Sequence, residues 1–200
     1  MTSEHHEHPH PGQHAHEHGH PDHVHDPACE VAHGTVPGPA TGRTLVAVFD
    51  TPVARYLLKY AADAGYRTVL VEPDATLLSR AGGDRSDGDG GPSVRSDLGT
   101  EPDAATDVVV TDHHRDELGV MLRDALATSA RWVGIMGSPR VVPPHIEALA
   151  LLGIEPGEIA RVHRPIGLNI GSKTPPEIAI STLAGLIADR NGCPGGFEFG

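Results

Sequence analysis

The 200-residue sequence has few cysteines, few aromatic residues and no concentration of basic charge. Its two cysteines, Cys29 and Cys193, lie in segments that we expect to be tails, which excludes a disulfide framework. The formal net charge is -12 and no stretch is rich in lysine or arginine, which argues against a nucleic-acid partner. No apolar run approaches the roughly 18 residues of a membrane span, and the N-terminus lacks the apolar core of a signal peptide. We therefore expect a cytoplasmic protein without a membrane partner.

The first 42 residues have the most biased composition, and we predict that they form a disordered tail. Eleven of the 15 histidines precede Gly34, mixed with Glu, Pro and Gly. So little apolar surface cannot offset the entropy of folding. Imidazole and thiolate suit Zn, Ni, Cu and Co, so the tail could bind divalent metals without a fixed ligand spacing. A solvated tail with no metal role is the alternative. The candidate ligands are His5, His6, His8, His10, His14, His16, His18, His20, His23, His25, Cys29 and His33.

From Arg43 onward, apolar strand-like runs alternate with amphipathic helical patterns. A helix that begins at Thr51 and Pro52 joins the first two strands in a βαβ unit. The strands are predicted at 45–49, 68–71, 108–111, 131–136 and 162–170, and later helices at 116–127, 143–152 and 176–190, with a helical turn at 155–160. This alternation predicts a Rossmann-like three-layer α/β domain with a mostly parallel sheet over residues 43–190.

Two segments break the alternation. Residues 81–107 are rich in Gly, Asp, Ser and Pro, and we predict a flexible insertion in which 93–95 could form a short strand. Residues 191–200 form a C-terminal tail that contains Cys193 in a Cys-Pro-Gly-Gly sequence. A thiol there could ligate a metal or accept sulfur, and an incidental exposed cysteine is the simpler interpretation.

Ligands of such sheets bind beyond the carboxyl ends of the strands, so the residues that follow each strand are the candidates for a site. His113 and His114, together with Asp112 and Asp116, could be metal ligands or an acid/base pair, or part of a polar loop at a strand end. At the elbow from Gly171 to Thr174, a capped helix start would aim backbone N–H groups at an anion, although a well-capped helix without a ligand fits equally. The candidates are Asp50, Thr51, Glu72, Asp112, His113, His114, Gly137, Ser138, Arg140, Gly167, Asn169, Gly171, Ser172, Lys173 and Thr174.

The fingerprint of a dinucleotide site is incomplete. A GxGxxG turn should follow the first strand, but the sequence from Asp50 to Ala54 contains no glycine. The Asp50 carboxylate would also repel a phosphate at that point. Glu72, 22 residues further on, fits the ribose acceptor position, and a glutamate that caps a strand fits equally. The pattern argues against NAD(P) binding.

Three motifs resemble a known family. They are TDHHRDE (111–117), WVGIMGSPR (132–140) and HRPIGLNIGSKTPPEIAISTLAGLI (163–187). They resemble the C-terminal Rossmann domain of XdhC/CoxI proteins, which are accessory factors for molybdenum hydroxylases such as xanthine dehydrogenase and carbon monoxide dehydrogenase. The resemblance extends from about Leu45 to Ala188. It implies a protein that is not itself an enzyme and that binds the molybdenum cofactor (molybdopterin), protects it, promotes its sulfuration and delivers it to the apo-enzyme.

The resemblance also implies partners and roles. The partners would be a molybdenum hydroxylase apo-enzyme and the cofactor-sulfurating enzyme, and the chain could form a homodimer. Asp112 and His113 would face the pterin or the metal. The cofactor phosphate would be held by Ser138, Arg140, Ser172, Lys173 and Thr174. The chain departs from the family in lacking both the glycine-rich turn and the N-terminal domain with its cysteine motif. An NAD(P)-dependent oxidoreductase and a metal-handling protein that acts through its tail are the alternatives.

Overall fold

A computed structural model of the chain describes residues 27–34, 42–83, 91–138 and 140–196. The chain divides after Gly38 into two units. In the first unit, the described residues form a short helix, α1 (Pro27–Ala32), where the sequence analysis expects no regular structure. His33 is exposed in the turn that follows α1. The other histidines predicted as metal ligands, from His5 to His25, lie outside the described residues.

The described part of the second unit contains six strands and six helices. The strands are β1 (Thr44–Val48), β2 (Arg67–Val71), β3 (Ser93–Arg95), β4 (Thr106–Val110), β5 (Trp132–Ile135) and β6 (Val162–His163). The helices are α2 (Pro52–Asp63), α3 (Ala75–Arg80), α4 (Leu118–Leu126), α5 (Pro144–Leu151), α6 (Pro156–Ile159) and α7 (Pro175–Arg190). None of the described helices combines the length and the apolar composition that a membrane span requires.

The six strands form one parallel sheet in the order β3-β2-β1-β4-β5-β6. This arrangement confirms the predicted Rossmann-like α/β fold. The order changes direction between β1 and β4, which places a crevice beyond the carboxyl ends of these two strands. The short strand predicted at 93–95 is present as β3, so the region predicted as an insertion contributes an edge of the sheet. The last strand is shorter than predicted and ends at His163. Further along, the Leu168 N–H donates to the Ser181 carbonyl in α7 and not to a strand.

Two apolar layers cover the two faces of the sheet. Because successive strand residues point to opposite faces, Val46 and Val48 pack with α4 and α5, whereas Leu45 and Ala47 pack with α2 and α7. All four of these side chains are buried. Burial on both faces explains why the strands read as continuous apolar runs, and it leaves the strand ends as the polar parts of the sheet.

A buried ion-pair cluster joins the strands at the amino end of the sheet, opposite the crevice. The fully buried Asp107 carboxylate accepts hydrogen bonds from Arg43 Nη2 at 2.9 and 3.0 Å and from Arg131 Nε at 2.9 Å. The two arginines precede β1 and β5, while Asp107 lies in β4. The cluster therefore fixes three strands on the side of the sheet away from the candidate site.

Candidate functional site

The turn between β1 and α2 occupies the place of the glycine-rich loop in a Rossmann domain. Phe49, the first residue after β1, has a φ of 74°, a left-handed conformation that usually requires glycine. Its ring is fully buried, and the Arg115 guanidinium lies 4.6 Å from the ring centroid. The turn therefore adopts a tight, glycine-like geometry with a phenylalanine in it. Phe49 is not among the residues predicted from the sequence, because its backbone conformation leaves no mark there.

Two threonines close the floor of the crevice between β1 and β4. The Ala54 N–H donates to Thr51 Oγ1 at 3.0 Å, which caps α2. The Thr51 hydroxyl donates to Thr111 Oγ1 at 3.0 Å, and the Thr111 hydroxyl lies 3.0 Å from the carbonyls of Val48 and Phe49. Thr51, predicted as a candidate ligand, is thus committed to holding the turn against the end of β4.

Asp50 does not present a free carboxylate to the crevice. The Arg55 guanidinium donates to both carboxylate oxygens of Asp50, at 2.8 and 2.7 Å. The pair also raises the pKa of Arg55, through the hydrogen bond and the charge of Asp50. The repulsion of a phosphate expected from Asp50 is therefore largely offset by Arg55, which the sequence analysis did not consider.

Glu72 is a buried structural residue in this structure, which corrects its predicted role as a ribose acceptor. The side chain is fully buried and accepts hydrogen bonds from the backbone N–H groups of Asp50 (2.8 Å) and Asp74 (3.1 Å). Arg115 donates to both oxygens, at 2.9 and 3.3 Å. Burial lowers the pKa of Arg115, but the hydrogen bonds and charges of Glu72 and Glu117 outweigh it and raise the pKa overall. Of the two interpretations, the strand-capping glutamate is the one that the geometry supports.

The loop after β4 carries a partly buried, neutral histidine. Asp112 Oδ1 accepts a hydrogen bond from the His114 N–H at 2.9 Å, which turns the loop, and the rings of His113 and His114 lie 4.0 Å apart. Burial lowers the pKa of His113, and the charges of His114 and Arg164 lower it further, against the opposing effects of Asp112 and of a backbone hydrogen bond with Met136. His113 is therefore neutral at pH 7 and extends from the end of β4 toward the end of β5.

Arg164, which follows β6, organises the loop after β5. Its Nη2 donates to the Ser138 carbonyl at 2.8 Å, and both Nη atoms donate to the Val141 carbonyl at 3.2 Å. A Cβ at Gly137 would lie 2.6 Å from Arg164 Nε, so Gly137, predicted as a cofactor ligand, makes room for the guanidinium. Ser138 Oγ accepts a hydrogen bond from the Arg140 N–H at 3.2 Å. Arg164 is not among the site residues predicted from the sequence, although it lies in the HRPIGL motif that carries the resemblance.

The elbow before α7 supplies its own anion, which corrects the prediction of a backbone anion site there. Glu177 Oε2 accepts hydrogen bonds from the N–H groups of Lys173 at 2.9 Å and Thr174 at 3.0 Å, in the predicted capping box. These hydrogen bonds lower the pKa of Glu177. Pro175 and Pro176 have no N–H to offer. The N–H groups of Lys173 and Thr174 are thus occupied and those of Pro175 and Pro176 are absent, so an anion at the first turn of α7 would depend mainly on the exposed Lys173 side chain.

The glycines near the elbow have different reasons to be glycine. Gly167 has a φ of 83°, and a Cβ there would lie 2.6 Å from Ser181 Oγ and 2.8 Å from the Ser181 carbonyl carbon. A Cβ at Gly185 would lie 2.8 Å from Gly167 Cα, so the two glycines let the loop pack closely on α7. Gly171 also has a positive φ, 69°, but nothing lies within 4 Å of its Cβ position. Gly167, predicted as a cofactor ligand, is therefore a packing residue.

Cationic side chains without an ion-pair partner among the described residues concentrate at one part of the carboxyl edge of the sheet. Arg140, Arg164 and Lys173 form no ion pair with another described residue, unlike Arg55, Arg115 and the arginines of the Asp107 cluster. Contacts and electrostatic coupling connect His113, Gly137, Ser138, Arg140 and Arg164 into one group, which we call the β4–β5 edge site. No hydrogen bond or ion pair between described residues joins Asn169, Ser172 or Lys173 to this site. The β4–β5 edge site combines a neutral imidazole, a hydroxyl and two cations.

Comparison with known proteins decides the family. The protein-family model described as the XdhC Rossmann domain matches residues 45–186 of the sequence. The chain belongs to the XdhC Rossmann domain family. The XdhC-family chain is 35% identical over 99 residues to the uncharacterized protein YqeB of Escherichia coli (strain K12), which covers 50% of the chain and 18% of YqeB. It shares its fold with the crystal structure of a xanthine dehydrogenase from Bacillus halodurans, at a TM-score of 0.59 and 21% identity, over 75% of the chain and 45% of that protein. The chain thus spans less than half the length of either relative.

Proposed function

We propose that this XdhC-family chain is an accessory protein in the maturation of molybdenum hydroxylases of the xanthine dehydrogenase type, and that it binds and delivers the molybdenum cofactor. The XdhC match and the likeness to a protein described as a xanthine dehydrogenase support the association with such enzymes. The observation that carries the cofactor part of the proposal is the β4–β5 edge site. Its partners would be the apo-enzyme and the enzyme that sulfurates the cofactor.

The residues of the β4–β5 edge site fit an anionic pterin. The Ser138 hydroxyl and the exposed Arg140 would hold the phosphate, because a hydroxyl and an unpaired guanidinium both donate to phosphate oxygens. The neutral imidazole of His113, together with Asp112, would face the pterin or the metal, since neutral imidazole can both donate and accept. The Lys173 ammonium remains a further candidate. The bound cofactor would supply the redox chemistry of the client enzyme, while these residues bind and orient it.

The second candidate, an NAD(P)-dependent oxidoreductase, has one observation in its favour. The strand order β3-β2-β1-β4-β5-β6 is the order of dinucleotide-binding domains. Against it, Phe49 takes the position of the first glycine, and the buried Glu72 is already bonded to Arg115 and two backbone N–H groups. We therefore favour the molybdenum cofactor.

The cofactor proposal is tested by purifying the full chain anaerobically from a host that makes the cofactor. We expect molybdenum and pterin fluorescence to co-purify with the protein, and Arg140→Glu to reduce both on the order of tenfold, because the substitution puts a carboxylate beside the phosphate. Arg80→Glu is the matched control, since Arg80 is exposed at the end of α3 and the change in charge is the same. Protein that contains neither molybdenum nor pterin would contradict the proposal, as would equal losses in the two variants.

For the His-rich tail we propose binding of divalent metal, because neutral imidazole is a ligand for Zn, Ni, Cu and Co. Calorimetric titration with Ni²⁺ should show several sites on the full chain, and deletion of residues 1–33 should remove them. Titrations that are the same before and after the deletion would show that the tail is not the site.

A further inference from the structure

A pocket of about 240 Å³ lies at the β6 edge of the sheet, on the face that α7 covers. Trp132 from β5 and His163 from β6 line it together, and their rings are stacked with 4.9 Å between the centroids. Thr182 and Leu186 from α7 also line the pocket, as does Cys193, which follows α7. None of the lining residues belongs to the β4–β5 edge site. We call this cavity the β6-edge pocket.

Two buried side chains present unpartnered polar groups to the β6-edge pocket. Trp132 is 8% exposed and Thr182 is 2% exposed, yet neither the indole N–H nor the hydroxyl bonds to another described residue. Neither group is sealed from solvent, unlike His145 Nδ1, and the surface that the two side chains retain lies at the pocket that they line. Buried N–H and O–H groups are nearly always bonded, so this pair indicates a molecule that supplies the missing partner.

The chemistry of the lining residues favours a neutral acceptor. The indole N–H of Trp132 donates and cannot accept, so the ligand must present an acceptor atom. No lysine or arginine is among the lining residues, and the one carboxylate among them, Asp189, is paired with Arg131. The walls therefore offer no cation to an anion and no free carboxylate to a cation. A carbonyl oxygen meets these conditions, because its two lone pairs can accept from both the indole N–H and the Thr182 hydroxyl.

The volume and the walls also limit the body of the ligand. A molecule of liquid water occupies about 30 Å³, so a pocket of about 240 Å³ holds a single ring with a short substituent and not a dinucleotide. The stacked rings of Trp132 and His163, together with the Leu186 side chain, suit a planar apolar body.

We propose that the β6-edge pocket is a second binding site, which takes a small, neutral ring compound that carries a carbonyl oxygen. The Trp132 N–H and the Thr182 hydroxyl would donate to that oxygen, and the ring would pack against Leu186. The exposed Cys193 thiol lies at the same pocket, so a bound molecule would shield it. The site does not depend on the molybdenum-cofactor proposal, since it uses neither His113 nor Arg140.

Three single-ring probes of similar size test this inference on the full chain. They are benzamide, which is neutral and has a carbonyl, benzoate, which is anionic, and ethylbenzene, which has no acceptor. Trp132 is the only tryptophan in the sequence, so its fluorescence reports directly on the pocket. We expect benzamide to change this fluorescence saturably, with a Kd at or below about 1 mM. Benzoate should bind more weakly on the order of tenfold, because its charge would lose water without gaining a cation.

Thr182→Val separates the polar contact from the apolar one, because it keeps the shape of the side chain and removes the hydroxyl. We expect it to weaken benzamide on the order of fivefold and to leave ethylbenzene unchanged within about twofold. Thr182→Ser restores the hydroxyl and should bind benzamide within about threefold of the unsubstituted chain. The matched control is Thr128→Val, since the Thr128 hydroxyl donates to the Ala125 carbonyl and Thr128 does not line this pocket.

Alkylation of Cys193 by N-ethylmaleimide, followed by peptide mass spectrometry, locates the bound probe. Benzamide should slow the alkylation of Cys193 and not that of Cys29, because only Cys193 lines the pocket in the described part of the chain. Benzamide binding that is unchanged in Thr182→Val would overturn the inference, as would benzoate that binds as tightly as benzamide. The absence of a saturable change with benzamide up to about 10 mM would show a pocket that holds water only, which also contradicts it.

Discussion

At the scale of single residues, the least predictable feature is the partner of each charged side chain. Glu72 stands 22 residues after Asp50, a spacing that suggested a ribose acceptor, and the structure instead pairs it with Arg115. Arg115 lies 43 positions away in the sequence, so local spacing could not reveal this contact. Arg164 was missed for the same reason, because the Val141 and Ser138 carbonyls that it contacts lie 23 and 26 positions away.

The Glu72–Arg115 pair makes a testable prediction about stability. Glu72→Gln should lower the free energy of unfolding by about 3 kcal/mol, because it leaves the partly buried Arg115 without its charged partner at a fully buried position. Urea unfolding measures the change. Glu117→Gln is the matched control, since Glu117 pairs with the same arginine but its side chain is 35% exposed, and we expect a loss below about 1 kcal/mol. Similar losses in the two variants would show that the burial of Glu72 is unimportant.

At the scale of elements, the sequence predicts the caps of α2 and α7 and most of the described helices, but not α1 or α3. It predicts poorly which backbone N–H groups remain free for a ligand. The predicted capping box of Thr174 and Glu177 is present. The same contact defeats the predicted anion site, because the Glu177 carboxylate takes the N–H groups that a phosphate would need. A sequence motif shows that a carboxylate can cap a helix, but the capped geometry decides what remains for a ligand.

The two glycines of the elbow region make the second stability prediction. Gly167→Ala should cost more than about 3 kcal/mol, because it combines a positive φ with a clash against the α7 backbone. Gly171→Ala should cost about 1 kcal/mol, since the φ is similar but the space around it is open. Urea or thermal unfolding of both variants gives the comparison. A Gly171→Ala variant as unstable as Gly167→Ala would show that backbone strain, and not packing on α7, requires glycine at position 167.

At the scale of the whole molecule, alternation of strands and helices was sufficient to predict the fold. The continuous apolar runs correspond to strands of one parallel sheet, and the helix starts at Thr51 and Thr174 correspond to α2 and α7. The break at 81–107 contains the edge strand β3. The site was only partly predictable. The segments at the carboxyl ends were identified from the fold, but the β4–β5 edge site depends on Arg164 crossing from β6 to the Ser138 carbonyl.

The central claim is that the carboxyl edge of this sheet binds the molybdenum cofactor in preference to a dinucleotide. The most direct test is anaerobic calorimetry of the full chain with molybdopterin released from a molybdenum enzyme and, separately, with NADH. Molybdopterin should bind with one-to-one stoichiometry and more weakly on the order of tenfold in Arg140→Glu, because the phosphate loses a charge-assisted hydrogen bond. NADH should show no binding at micromolar concentrations. Micromolar binding of NADH together with no binding of molybdopterin would contradict the account.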